Sequence, residues 1–205
     1  MANCYKPADV ALGCDSADLQ ALSGALLIDL KAFKPTKSLT KKFTFENIEV
    51  IDPDTGLYPV ALSEYLPVKI EWAKNAVKPN YEVVSSEVKQ DTYTQLASGL
   101  IINNSESDLG KETTMALATR KWVLVYKASG VADADDAYQV LGAKNGLQFV
   151  VEPTSDDVGG RVTGSIRSLT GGGEANPNGY NFLLATGIED TDTLFNNRFE
   201  TVIIP

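Results

Sequence analysis

The chain has no histidine, and only two cysteines and two methionines in 205 residues. Without an imidazole there is no Ser-His-Asp or Cys-His mechanism, no histidine general base and no histidine metal ligand. Two cysteines, Cys4 and Cys14, are too few for a four-ligand zinc site. A disulfide closing a small N-terminal loop and a pair of free thiols are both open, and a reducing cytoplasm favours the thiols. Long hydrophobic runs are also missing. Ala25-Leu26-Leu27-Ile28 is broken at once by Asp29, far short of the roughly 18 apolar residues of a membrane-spanning helix. Met1 to Lys6 shows no charged leader followed by an apolar core, which argues against a signal peptide and for synthesis in a cytoplasm. No membrane partner, cofactor or metal is expected.

Positive charge is scarce too. There are 27 acidic residues against 18 basic ones, a net charge of −9. An acidic surface repels phosphate, so wrapping or reading nucleic acid is disfavoured, although a passage through which DNA slides without adhering is not. The chain is 43% hydrophobic and 22% charged, a composition that suits a folded globular domain.

What is present is mostly strand. Tyr138 to Glu152, YQVLGAKNGLQFVVE, places two runs of β-formers around Asn145-Gly146. That dipeptide tolerates the positive φ values of a type I′ turn, so the stretch predicts a β-hairpin. Apolar residues fall on both faces of it. Gly24 to Phe33 reads as a first strand, and Lys34-Pro35-Thr36-Lys37-Ser38 as a polar break. In Lys41 to Asp52, Phe43 and Phe45 share one parity while Ile48 and Val50 share the other, which predicts a bulge at Glu46-Asn47. Pro53-Asp54-Thr55-Gly56 is a turn, and Leu57 to Leu62 a possible return strand.

Val68 to Ala73 alternates, with Val68, Ile70 and Trp72 on one side. Tyr81 to Gln90 and Thr92 to Asn103 read as a strand pair. A helix also fits them, but their β-branched content favours strand. Arg120 to Ala128 carries Trp122, Leu124 and Tyr126 on one face and Val123 and Val125 on the other, so it is covered on both sides, by a core or by a neighbouring subunit. Arg161 to Thr170, Tyr180 to Gly187 and Phe199 to Ile204 complete the strands.

The one helix is expected within residues 104–119, about ten residues long and capped by Ser105 or Ser107. Asp190 to Asn197 reads as polar connection. The sum is a mainly β protein: a β-sandwich or barrel of about ten strands with one short α-helix packed on it. Residues 1–23 form an N-terminal arm and 24–205 a single domain with long loops.

Candidate chemistry is thin. Asp133, Asp135 and Asp136 crowd one loop, Asp156 and Asp157 another, and Asp190 and Asp192 a third. The spacing of the first, Ala132-Asp133-Ala134-Asp135-Asp136, lacks the glycine and distal glutamate of a calcium loop, so solvated loops are the better reading. Gly171-Gly172-Gly173-Glu174 lacks the Lys and Ser/Thr of a phosphate-binding loop. Glu71 and Glu152 lie on strands, but nothing in the sequence makes them converge as a glycosidase pair. Trp72 and Trp122 fit core packing better than stacking on sugars or bases. No catalytic activity is expected.

The layout resembles that of tail tube proteins of tailed bacteriophages. The resemblance lies in the N-terminal arm, the central helix, the run RKWVLVYKA … YQVLGAKNGLQFVV … GRVTGSIRSLTGGGE … YNFLLATG and the apolar final strand. It implies a virion protein made in the host cytoplasm, assembled as a homo-oligomer into stacked, usually hexameric, rings. DNA would pass through the lumen without specific binding, and other virion structural proteins would be partners. It makes Phe43, Phe45, Ile48, Val50, Tyr138, Val140, Phe149 and Val151 candidates for the subunit interface. Other virion roles (capsid decoration, neck or tail terminator) and a surface ligand-binding or adhesive β-sandwich are the alternatives.

Overall fold

The computed structural model describes residues 25–37, 44–56, 65–70, 78–86, 89–103, 115–127, 137–151, 161–168, 180–182 and 187–199. These form eleven strands in two sheets and two helices. The protein is mainly β, as its composition predicts, with one strand and one helix more than expected. The expected arm, Phe43, the 57–62 strand, Glu71, Trp72, most of the 104–119 helix, Glu152, the loops at 133–136, 156–157 and 171–179, and the last six residues fall outside the described residues.

A seven-stranded sheet is formed by β1 (Ala25–Asp29), β2 (Phe33–Lys37), β3 (Thr44–Val50), β4 (Val68–Ile70), β7 (Trp122–Lys127), β8 (Tyr138–Leu141) and β11 (Tyr180–Phe182). Their spatial order is β2-β3-β11-β8-β7-β1-β4. A four-stranded sheet is formed by β5 (Lys78–Ser86), β6 (Lys89–Asn103), β9 (Gln148–Val151) and β10 (Arg161–Arg167), in the order β5-β6-β10-β9. All pairings are antiparallel except β3 with β11.

The apolar residues on both faces of the larger sheet have an intramolecular cause. Side chains alternate across a strand, so odd positions of β1 and even positions of β7 share one face. Ala25, Leu27, Trp122, Leu124 and Tyr126 pack there against Ala97, Phe149 and Ile166 of the smaller sheet. Their neighbours Leu26, Ile28, Val123 and Val125 face the other way. They join Phe45, Ile48, Val50, Tyr138, Val140 and Phe182 in a second core, which α2 (Ile188–Asn196) covers with Phe195 and its following Phe199. One chain thus supplies the cover for both faces, where the sequence left open a neighbouring subunit for one of them.

Three local expectations hold. In the β2–β3 pair, Thr36 opposes Asn47 while Lys37 opposes Phe45, so Glu46 is the extra residue. That bulge is what lets Phe45, Ile48 and Val50 enter one core despite their mixed parity. The Pro53–Gly56 turn is built on Asp52, whose Oδ1 accepts from Asp54 N at 2.9 Å. Gly56 completes it at φ +66°, its N donating to Asp52 O at 2.7 Å. Val68 and Ile70 are buried and Lys69 is exposed.

Four expectations need correction. The predicted first strand is split: Asp29 Oδ1 accepts from Lys31 N, Ala32 N donates to Asp29 O, and the chain turns before Phe33. The Lys34-Pro35-Thr36 break is therefore part of β2, where proline is tolerated because β2 is an edge strand.

The described part of the helix expected within 104–119 is α1 (115–119), which lies inside that range. It is fixed to the core by Trp122 Nε1 donating to Leu117 O at 3.0 Å and Gln148 Nε2 donating to Ala118 O at 2.6 Å. The polar stretch after Gly187 is α2, a helix that sequence reading missed. Its Thr, Asp and Asn are weak helix formers, but Thr191 and Phe195 lie four apart and are both buried. That spacing, with acidic Glu189 and Asp190 in the first turn, is the signal that marks it.

The fourth correction concerns the expected hairpin. β8 pairs with β7 and β11, whereas β9 pairs with β10 in the other sheet. Leu141 opposes Leu124, and after an excursion at 142–146 Leu147 opposes Trp122, with Leu147 N to Trp122 O at 2.7 Å and Trp122 N to Leu147 O at 2.8 Å. The strand therefore keeps its direction and changes sheets at a bulged corner. Gly142 and Gly146 hold φ +75° and +76°, while Asn145 keeps a negative-side φ, so the turn is not type I′. Gly146 N donates to Gly142 O at 3.0 Å, and Gly142 N donates to the fully buried Gln95 Oε1 at 2.7 Å.

Candidate functional site

Six of the eight candidate interface residues are core residues of the single chain. Phe45, Ile48, Val50, Tyr138, Val140 and Phe149 are each at most 6% exposed. Phe45 stacks near Tyr180 at 4.7 Å between centroids, and Tyr138 near Phe195 at 5.1 Å. A side chain enclosed by its own fold has no surface to offer a neighbour, so these six are withdrawn as contact residues. Phe43 lies outside the described residues. Val151 alone is open, at 52% exposure.

Val151 ends β9, and the sheet edges differ in how they are guarded. An edge strand leaves a row of N–H and C=O groups unpaired, and proteins blunt it with Pro, Lys or shortness. β2 carries Pro35 and the exposed Lys34 and Lys37. β4 follows Pro67 and carries the exposed Lys69. β5 opens with Lys78-Pro79. β9 is Gln-Phe-Val-Val, with neither proline nor charge. Among the described residues it pairs with β10 alone, Gly164 to Val151 through Arg167 to Gln148. The sequence shows this feature as an uncharged four-residue run before Glu152-Pro153, but only the sheet assignment makes it an edge.

The same sheet projects at its opposite side. β10 reaches along β6 as far as Arg167 opposite Leu96, whereas β5 continues from Tyr81 opposite Gln95 to Ser86 opposite Lys89. Among the described residues β5 and β6 thus pair by themselves over about 20 Å past β10, at about 3.3 Å per residue. Two-stranded ribbons are marginal in water without a third strand or a covering face.

The titratable groups serve packing. Lys127 Nζ donates to Asp192 Oδ1 at 2.8 Å, and the Tyr138 hydroxyl donates to the same oxygen. Together they tie α2 to the ends of β7 and β8. Tyr126 OH donates to Gln139 Oε1 at 2.6 Å, and burial pushes its phenol well above the ordinary tyrosine range. Arg120 Nη1 lies 3.6 Å from Asp29 Oδ2, beneath the β1–β2 turn. Trp122 is 2% exposed, which removes it as a stacking platform.

Among the described residues no cluster of three or more His, Cys, Asp or Glu is placed to hold a metal ion, and no helix is long and apolar enough to cross a membrane. No protein-family model, no curated protein and no solved structure matches the chain.

Proposed function

We propose that the chain is a non-catalytic structural subunit that assembles with copies of itself, and that the assembly is a phage-type tail tube. The observation that carries the reading is the β9 edge, which among the described residues has neither proline nor charge and ends in the exposed Val151. The projecting β5–β6 ribbon supports it, because such a ribbon gains stability from a neighbour. The layout resemblance supplies the tube, the hexameric ring and the virion setting, with other virion proteins as partners. The charge of −9 suits a lumen that passes DNA without holding it. The buried faces of the larger sheet lend this reading nothing, since the chain covers them itself.

The test is the oligomeric state, by light scattering and negative-stain electron microscopy over rising concentration. Wild-type protein is expected to form rings or rods, and Val151→Lys to stay monomeric with unchanged thermal stability. Monomers alone at the highest concentration overturn the self-assembly reading. Assembly untouched by Val151→Lys overturns the choice of edge.

A further inference from the structure

Asn145-Gly146 does not make the turn it is suited to, and its chemistry points elsewhere. In an Asn-Gly pair the following backbone nitrogen can attack the asparagine side-chain amide. The Gly146 N–Cγ bond forms, the Cγ–NH2 bond breaks, and ammonia leaves with the proton from Gly146 N. Water then opens the succinimide at one carbonyl or the other, giving isoaspartate or aspartate. Glycine promotes this because it has no Cβ to obstruct the ring. The attack needs the Gly146 N–H free and the peptide plane able to rotate.

The corner denies both. Gly146 N–H is held by Gly142 O at 3.0 Å. The next residue, Leu147, is pinned to Trp122 through both its N–H and its C=O, at 2.7 and 2.8 Å. Gly142 at the other end is anchored by Gln95 Oε1 at 2.7 Å. Gly146 sits against Leu30 and Lys121, where a Cβ would come within 2.9 Å of Lys121 Cβ. Leu147 is fully buried in the core between the sheets. Rotation of the Asn145–Gly146 peptide thus requires the corner to open and Leu147 to lose its place.

We infer that Asn145 is a latent deamidation site, held closed by the crossover between the two sheets and reactive only when that corner opens. Reaction would be one-way. Isoaspartate adds a methylene to the backbone and a negative charge where the chain passes from one sheet to the other, so the product would keep the corner from re-forming. The inference depends on the corner geometry alone, not on the assembly reading.

The test is peptide mapping by mass spectrometry, following the 1 Da gain and the isoaspartate isomer at position 145 during incubation at mildly alkaline pH. The reference is a synthetic peptide spanning residues 142–148 in the same buffer. Opening by one or more hydrogen bonds and a buried leucine corresponds to a native rate at least about tenfold below that of the peptide. A native rate closer than that to the peptide's overturns the inference. Gln95→Ala, which removes the anchor of Gly142, is expected to raise the rate at 145. Far-ultraviolet circular dichroism on the same sample checks that the variant is folded. An unchanged rate in folded Gln95→Ala overturns the role given to the corner.

Discussion

The two sheets put the same residue types to different uses. The seven-stranded sheet is covered on both faces within one chain: the smaller sheet lies on one side, and α2 with its own curled strands on the other. The four-stranded sheet gives Ala97, Phe149 and Ile166 to the shared core, but among the described residues it ends in an edge strand with one partner, β9, and in a stretch where β5 and β6 pair by themselves. Apolar residues on both faces of a strand therefore do not identify a subunit interface. On the proposed reading the contact lies instead at the β9 edge, which among the described residues pairs with β10 alone and carries the exposed Val151.

The comparison breaks most readily at Leu27 and Ile28, adjacent residues facing opposite cores. Both Leu27→Ala and Ile28→Ala are expected to lose about 2–5 kcal/mol in denaturant unfolding of dilute, monomeric protein. A small loss at Ile28 alone would mean that the α2-side core is not closed by the chain itself.

Gly142→Ala tests the corner joining the sheets. Its Cβ would lie 2.5 Å from Leu147 Cγ and 3.0 Å from Trp122 O, at φ +75°. Strain of about 1–2 kcal/mol adds to overpacking of about 1–3 kcal/mol. Gly56→Ala, at φ +66° with nothing within 4 Å, is expected to lose the strain alone. Chemical denaturation of the two variants side by side measures the difference.

Tyr126 faces the inter-sheet core, and its pKa is raised in the fold. Its contribution to stability is therefore complete below the unfolded-state value near 10 and is lost as pH rises beyond it. Above pH about 10, unfolding free energy is expected to fall by up to about 1.4 kcal/mol per pH unit from this group. Tyr126→Phe should flatten that part of the slope.

Smaller effects are expected at the cover and at the edge. α2 ends with Arg198 N donating to Phe195 O and Phe199 N donating to Leu194 O, a Schellman cap. Its C′ residue is Arg198 at φ +55°, where glycine is usual. Arg198→Gly is expected to raise the melting temperature, stabilising by about 0.5–1 kcal/mol after the entropic cost of glycine. Val151→Lys should shift monomer stability by no more than about 0.5 kcal/mol. Any larger loss would place Val151 in the core rather than at an exposed edge.

Legibility followed the range of the physics involved. The split of β7 into a Trp122-Leu124-Tyr126 face and a Val123-Val125 face was readable because side-chain alternation is local to the strand. So were the bulge at Glu46 and the Asp52 turn. α2 was hidden because its helix rests on two buried aromatics, Phe195 and Phe199, against weak local propensity.

Strand character, the alternation of faces, the Pro53–Gly56 turn and the lack of histidine-based mechanisms were legible in the residues alone. Each of these is a property of neighbouring residues. Tertiary structure alone decided what Asn145-Gly146 would do, which strands would become edges, and what covers each face. Local chemistry at 142–146 permits a hairpin. Yet Leu147 is drawn to Trp122, and Phe149 to Ala97 and Ile166, by burial between the sheets. That long-range burial outweighs the turn preference and carries the chain across.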